Sequence, residues 1–397
     1  RLNLRSNIDA KLTKSLTFTL GVSGRIEKRD SPRYSADPNA WHNVPQQIIR
    51  ALPYVPDTYE YEGKTYNVST PTASSPVAPV ASINESGYSK SNYSYIQSNF
   101  SLKYDAPWLK GLSFKFQGAY DLTYNFSKIL SNPYEVMIMN LPTIESTSLT
   151  YYKGTDASGN SISLSESASR GYTFTTQSSV TYDNKFGKHT VGAMFLAETR
   201  ENKSNALSAT GYGLDFIQLD ELNQITNKTG NGAEKFPSIG GYSGHTRVAG
   251  FVGRVNYNYD DKYFEPSIRH DGSYLFGGIN KRWLTFPGVS AGWRLNNESW
   301  FNAPWVNNLK LRAGIGKTAT SGVSAFQWRN TMGISKNAVV IGGSSQTMMY
   351  ASVLGNPNLS WAQCLNYNVG VDATMWNGLL GVEFDVFYKY EYDKLAT

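Results

Sequence analysis

From Leu112 to Phe126 the chain alternates apolar and polar residues almost without error. Leu112, Phe114, Phe116, Tyr120, Leu122, Tyr124 and Phe126 fall on one parity, and Ser113, Lys115, Gln117, Asp121, Thr123 and Asn125 fall on the other. Successive side chains of a strand point to opposite faces, so this spacing predicts one long strand with a greasy and a wet face. Strands of soluble sheets usually run about 5–6 residues. A much longer strand, apolar on one side throughout, suits a tilted crossing of a membrane.

The same pattern recurs along the chain. Leu16, Phe18, Leu20, Val22, Gly24 and Ile26 share one parity, as do Ala249, Phe251, Gly253, Val255, Tyr257 and Tyr259. Leu365, Tyr367, Val369 and Val371 oppose Asn366, Asn368 and Asp372, and Leu380, Val382, Phe384, Val386, Tyr388, Tyr390 and Tyr392 form a further series. Blurrier strands are predicted over 91–104, 170–184, 189–202, 263–274, 284–295 and 308–317, and the chain opens inside another, giving about 12 strands. Short links (11–14, 105–111, 183–187, 260–262, 376–379) alternate with long polar stretches (about 30–90, 128–169, 203–243 and 318–363). Outer-membrane barrels sort their connections this way, with short turns on one side and long loops on the other. The link 275–283 is short where a long one is due. The expected fold is therefore all-β, an antiparallel transmembrane β-barrel with long extracellular loops.

Composition is compatible with that fold. Hydrophobic residues make up 40% of the 397 residues and mean hydropathy is −0.40, with no apolar run long enough for a membrane helix. Barrel strands hide their hydrophobicity in alternation. Tyr and Trp, which favour the membrane–water interface, cluster near predicted strand ends at Tyr104, Trp108, Tyr120, Tyr182, Tyr257, Tyr259, Tyr263, Trp376 and Tyr388. The net charge of +6 comes from dispersed Lys and Arg without a basic run, which argues against nucleic acid and fits an anionic leaflet or a polar lumen.

Catalytic and metal chemistry find little support. Cys364 is the single cysteine, has no His–Asp pattern around it, and reads as a structural thiol at a strand start. His42, His189, His245 and His270 are scattered without metal-type spacing. Asp156–Asn160 loosely resembles a calcium loop but fails its spacing, and a hairpin tip is the better reading. Gly240–Gly244 leads into a strand and opens no helix, so it is no phosphate loop. The expectation is a protein that is not an enzyme and needs no cofactor or metal.

Several segments, in order, resemble the SusC/RagA family of TonB-dependent outer-membrane transporters from Bacteroidota. They are Val252–Tyr259 with Asp261–Phe264, Ser267–Ser273, Phe286–Arg294, Trp305–Thr318, and Leu354–Trp361 with Asn368–Asp372. The match covers most of 245–395. Thr320-Ser321, Ala362-Gln363 and Cys364 depart from the family pattern, all at loop edges. The same segments have a physical reading as architecture. Asn356-Pro357-Asn358 and Asp271-Gly272 are turn signals, and Pro287 sits near a strand start.

The resemblance implies part of a barrel of roughly 22 strands with a plugged lumen. It implies active import, energised by the TonB–ExbB–ExbD system, of an oligosaccharide or oligopeptide captured with a SusD-like surface lipoprotein lid. It also implies contact with outer-membrane lipid or lipopolysaccharide and an assembly of two transporter–lid pairs. A passive outer-membrane porin is the alternative. The chain starts inside a strand without Met and ends just after one. Residues 1–397 are thus expected to be a partial barrel domain, with the N-terminal plug and the final strands absent. Ligand contacts are expected among loop aromatics, with Trp41, His42 and Trp328 the leading candidates.

Overall fold

The structure is a computed structural model that describes residues 1–33, 44–69, 78–140, 150–155, 161–277, 279–320, 322–323 and 326–394. In chain order its strands are β1 (Leu2–Lys11), β2 (Leu16–Pro32), β3 (Thr58–Tyr61), β4 (Lys64–Ser69), β5 (Gly87–Asp105), β6 (Leu112–Ser131), β7 (Glu135–Asn140), β8 (Thr150–Thr155) and β9 (Ser163–Phe186). There follow β10 (His189–Tyr212), β11 (Ser238–Tyr259), β12 (Lys262–Ser273), β13 (Trp283–Arg294), β14 (Val306–Thr320), β15 (Thr331–Ile341), β16 (Ser344–Val353), β17 (Ala362–Met375) and β18 (Leu380–Tyr392). Among the described residues three short α-helices interrupt the loops, α1 (Val44–Arg50), α2 (Pro79–Asn84) and α3 (Ile279–Arg282).

Twelve strands form one antiparallel sheet in the order β1-β2-β5-β6-β9-β10-β11-β12-β13-β14-β17-β18. These are the twelve strands that alternation predicts. The connections at one end are short (12–15, 106–111, 187–188, 260–261, 376–379) apart from 295–305, and those at the other end carry the remaining elements. The short link near 275 keeps its place in this order, because it lies at the loop end. Turn chemistry explains the tightness. Asp260 and Asp261 both have positive φ (49° and 65°), the conformation of a two-residue turn that matches strand twist. Gly111 closes the β5–β6 turn at φ +93°, where a Cβ would strike the Asp183 carbonyl.

Register gives every wall strand a common apolar face. Phe18, Leu102 and Phe116 are cross-strand neighbours, as are Val180, Phe195, Gly253 and Ile268, and so are Val371 and Phe384. Most of these side chains stay exposed in the chain itself, and Phe18 and Val371 are half-buried. Val369 keeps 60% of its surface and Phe384 keeps 62%. At the short-turn end Trp108, Trp293, Trp300, Trp305 and Trp376 are also exposed, and the Trp305 and Trp376 rings stack at 5.6 Å. Such a belt suits the membrane–water interface. Tyr120 lies inside β6 on the apolar face, away from the strand end, and Tyr263 faces the polar side beside Asp261.

The top of the apolar band slants across the sheet. One hydrogen-bonded row runs from Phe116 on β6 through Ser178, Ala197 and Phe251 to His270 and Thr285. The row is apolar at β6 and polar by β12, as strands tilted against a membrane plane require. The strands also outrun the membrane. β9 and β10 each span 24 residues, where about 9–11 cross the hydrocarbon. Stretches expected as loop, such as 203–212 and 238–243, are continued ladder. In water a strand extension needs its hydrogen bonds but no greasy face, so it leaves little alternation in the sequence.

Candidate functional site

The polar face of the sheet carries an ion-pair and stacking pattern that runs across strands. Arg312 on β14 donates two hydrogen bonds to Asp372 on β17 (2.8 and 2.7 Å) and one to Asp385 on β18 (3.1 Å). Arg269 pairs with Asp271 at 2.6 Å and lies 3.6 Å from Glu198, which accepts from Gln177. Near β1, Glu27 accepts from Arg29 at 2.8 Å, the Arg25 guanidinium sits 4.2 Å over the Tyr95 ring, and Arg29 sits over Tyr93. Guanidinium edges left free by stacking, with amides beside them, suit hydroxyl and carbonyl groups of a polar ligand.

Two depressions open on this face. One of about 650 Å³ is lined by Asn3, Arg5, Asn7, Arg25, Tyr95 and Asp121. The other, about 450 Å³, lies nearer the short turns among Asn256, Tyr263, Glu265, Lys310 and Arg312, where Gly292 and Gly314 leave bare backbone. Alternation predicts the polarity of these positions. Their convergence depends on register across five or more strands, which spacing within one strand does not encode.

The loop end holds the molecule's true cores. β3, β4, β7 and β8 form a four-stranded sheet built from two different loops. Its side chains Tyr66, Val68, Met137 and Met139 are buried together, and Tyr59 stacks on Tyr151 at 4.0 Å. Val136 and Tyr134 pack with Ala78 and Ala81 of the α2 region. The Gln47 carbonyl oxygen accepts from the Ala78 amide (3.2 Å) and the Ser82 hydroxyl (2.9 Å), and Ser82 also meets Tyr134 at 2.6 Å. These buried polar groups are satisfied, so they fix the two loops against each other. Glu135, on the cap surface, lies between Lys153 (2.7 Å) and Lys64 (3.3 Å), and these cations hold its carboxyl below the ordinary carboxylate value.

Trp328 packs against Gly277, where a Cβ would strike its ring, beside the buried cluster of Phe276, Leu359 and Trp361. Arg329 covers its ring at 4.7 Å. Trp41 and His42 lie outside the described residues, as does 156–160. Gly240–Gly244 runs inside β11, and Cys364 is the half-buried third residue of β17. No group of three or more potential metal ligands forms among the described residues, and no described helix is long and apolar enough to cross a membrane. The residues missed by sequence reasoning are Arg5, Arg25, Tyr93 and Tyr95. Their signal was a basic and aromatic series on the wet parity of neighbouring strands.

No family model matches the chain. It is 26% identical over 222 residues to TonB-dependent receptor P26 of Formosa agariphila, covering 55% of this chain and 22% of that protein. To TonB-dependent receptor P3 of the same organism it is 24% identical over 395 residues, 98% of this chain and 36% of that one. TonB-dependent receptor SusC of Bacteroides thetaiotaomicron is 27% identical over 160 residues, 39% of this chain and 16% of that one. The RagAB peptide transporter superposes with a TM-score of 0.73 at 21% identity, covering 98% of this chain and 40% of that chain. At that identity the likeness is one of fold. The chain spans about a third or less of the length of these curated relatives.

Proposed function

On the premise that this chain is a segment of a SusC/RagA-type TonB-dependent receptor barrel in the outer membrane, we propose that it walls an active importer for a large polar nutrient. The nutrient is an oligosaccharide or oligopeptide. It is captured with a SusD-like surface lipoprotein at the loop end and drawn inward when TonB–ExbB–ExbD acts on a plug within the wall. Two such transporter–lid pairs assemble together. The observation that carries this reading is the division of one twelve-stranded sheet into an apolar and a polar face, with the four longest connections at one end.

In this mechanism the chain's own residues bind and guide. The cap around Gln47 and Tyr134 shapes the entrance. Polar groups at Arg5, Arg25, Tyr95 and Asp121 offer exchangeable hydrogen bonds along the inner wall, so a hydrated ligand passes without full desolvation. Trp41, His42 and Trp328 are proposed as ligand contacts at the entrance. Alanine at Trp41 or His42 is expected to weaken ligand binding about tenfold, and Trp328→Ala is expected also to loosen the Phe276–Trp361 packing.

The test is uptake of labelled oligosaccharide and oligopeptide pools by cells with and without the full-length gene, each with and without a protonophore. Gene-dependent uptake abolished by the protonophore supports the importer. Gene-dependent uptake that the protonophore leaves unchanged replaces it with a passive channel.

A further inference from the structure

The cations of the inner wall are not all spent in the same way. Arg312 and Arg269 each meet two carboxylates, which leaves them little charge to offer. At the other end of the sheet, β1 and β2 bring Arg5, Arg25 and Arg29 to the polar face beside β5. The carboxylate among them is Glu27, 2.7 Å from Arg29 and 3.7 Å from Arg25. Arg5 makes no ion pair among the described residues. Three guanidinium groups thus stand against one paired carboxylate.

Packing decides which of these charges a ligand meets. The Glu27 side chain keeps 17% of its surface, while Arg25 keeps 38% and Arg29 keeps 65%. The Tyr95 ring supports Arg25 at 4.2 Å and the Tyr93 ring supports Arg29 at 5.2 Å, and the two rings are themselves stacked at 6.4 Å. The acid is spent on holding the cations in place, the rings cover one face of each guanidinium, and the hydrogen-bonding edges remain to be used.

The recess of about 650 Å³ beside them is shaped for a polar group. Part of its floor is the bare backbone at Gly21, over which the side-chain amides of Asn7 and Asn99 lean, so that a Cβ would strike Asn99. Pairing sets Asn3 beside Arg25 and Tyr95, and Arg5 beside Ser23 and Gln97. Asp121 is the single carboxylate of the lining. It belongs to the Arg5 row, but Ser23 and Gln97 intervene, which puts it three strand spacings or about 14 Å away. The cationic end of the recess is therefore the end at β1 and β2. A guanidinium fork matches a planar carboxylate in shape and charge, whereas a neutral chain gains nothing from the surplus charge.

We propose that this recess selects a carboxylate-bearing oligomer, with Arg5 and Arg25 holding the carboxylate and Asn3, Asn7 and Gln97 taking the hydroxyl or amide groups beside it. The inference rests on the import reading and narrows it from large polar nutrients to acidic ones. The carboxylate belongs either to a sugar acid or to an acidic peptide side chain.

The test is equilibrium binding to the full-length transporter in non-ionic detergent, read by isothermal titration with hexagalacturonate, its methyl ester, hexaglutamate and hexaglutamine. At least one acidic probe is expected to bind about tenfold or more tightly than its neutral counterpart. Preference for hexagalacturonate assigns the carboxylate to a sugar acid, and preference for hexaglutamate assigns it to a peptide. Arg5→Gln/Arg25→Gln is expected to abolish the preference, Arg5→Lys/Arg25→Lys to keep part of it, and Lys188→Gln at a short turn to change nothing. Heat-modifiable gel mobility shows that each variant is folded. Equal binding of acidic and neutral probes overturns the proposal, as does failure of both acidic probes to bind or an unchanged preference in the double glutamine variant. Binding is read without transport. Loss of protonophore-sensitive uptake would therefore refute the importer and leave the charge preference standing, and the reverse would refute the preference alone.

Discussion

The wall and the cap treat apolar side chains in opposite ways. In the wall, Val369, Phe384 and Val386 keep about 60% of their surface, although they belong to the most regular part of the fold. In the cap, Val136 and Met137 keep 0% and 1% in a small sheet assembled from two loops. The cap hides its apolar groups from water within the chain, as a soluble domain does. The wall leaves them for the bilayer to cover and points its polar groups inward. One chain therefore contains two solvent regimes.

The sharpest way to break this comparison is a charge in each region. Val136→Asp would place an unpaired carboxylate in the cap core, with an expected cost of about 4 kcal/mol or more. Limited proteolysis should then cut the cap segments while the wall keeps its heat-modifiable gel mobility. If wall and cap unfold together, they are one cooperative unit.

A smaller effect separates the two faces of the wall itself. Phe100 faces the apolar side and the adjacent Ser101 the polar side. Phe100→Arg is expected to cost about 2–4 kcal/mol in a lipid bilayer and Ser101→Arg under about 1 kcal/mol. Urea titration of folding into vesicles measures both, and equal costs would refute the assignment of faces.

Within the polar face, Arg312→Met should leave Asp372 and Asp385 without their shared cation, at about 1–3 kcal/mol. Adding Asp385→Asn should recover part of the loss in the same titration.

The smallest effect is electrostatic and belongs to the cap surface. The Glu135 carboxyl is held low by Lys153 and then Lys64. Its contribution is present above the ordinary carboxylate value and fades as pH falls through the depressed one. All three ions are well exposed, so it is worth under about 1 kcal/mol. Protection factors of the β7 and β8 amides, corrected for the intrinsic pH dependence of exchange, should fall modestly on acidification, and Glu135→Gln should remove that pH-dependent part.

How much of this was legible depended on which solvent a residue faces. Every wall strand is legible because lipid on one side and water on the other force a period of two, as in Leu112–Phe126. The cap strands β3, β4, β7 and β8 were missed. They are 4–6 residues long, and their partners come from different loops, as where Val68 pairs with Met137. The β15–β16 hairpin was missed also, although Gly342 and Gly343 mark its turn with positive φ at both positions. Trp328 is half-buried against Gly277, some fifty residues away, a packing that the residues around Trp328 do not announce.

The sequence alone determined the strand order of the wall, its two faces and the sorting of its turns. Each of these follows from local alternation and from turn residues, which act within a few positions. Tertiary structure decided what meets across strands. The Arg25–Tyr95 stack, the Arg312–Asp372–Asp385 cluster, and the joining of two loops at Gln47 and Tyr134 all depend on register. Register is a sum over successive hydrogen-bonded pairings, so no single strand carries it.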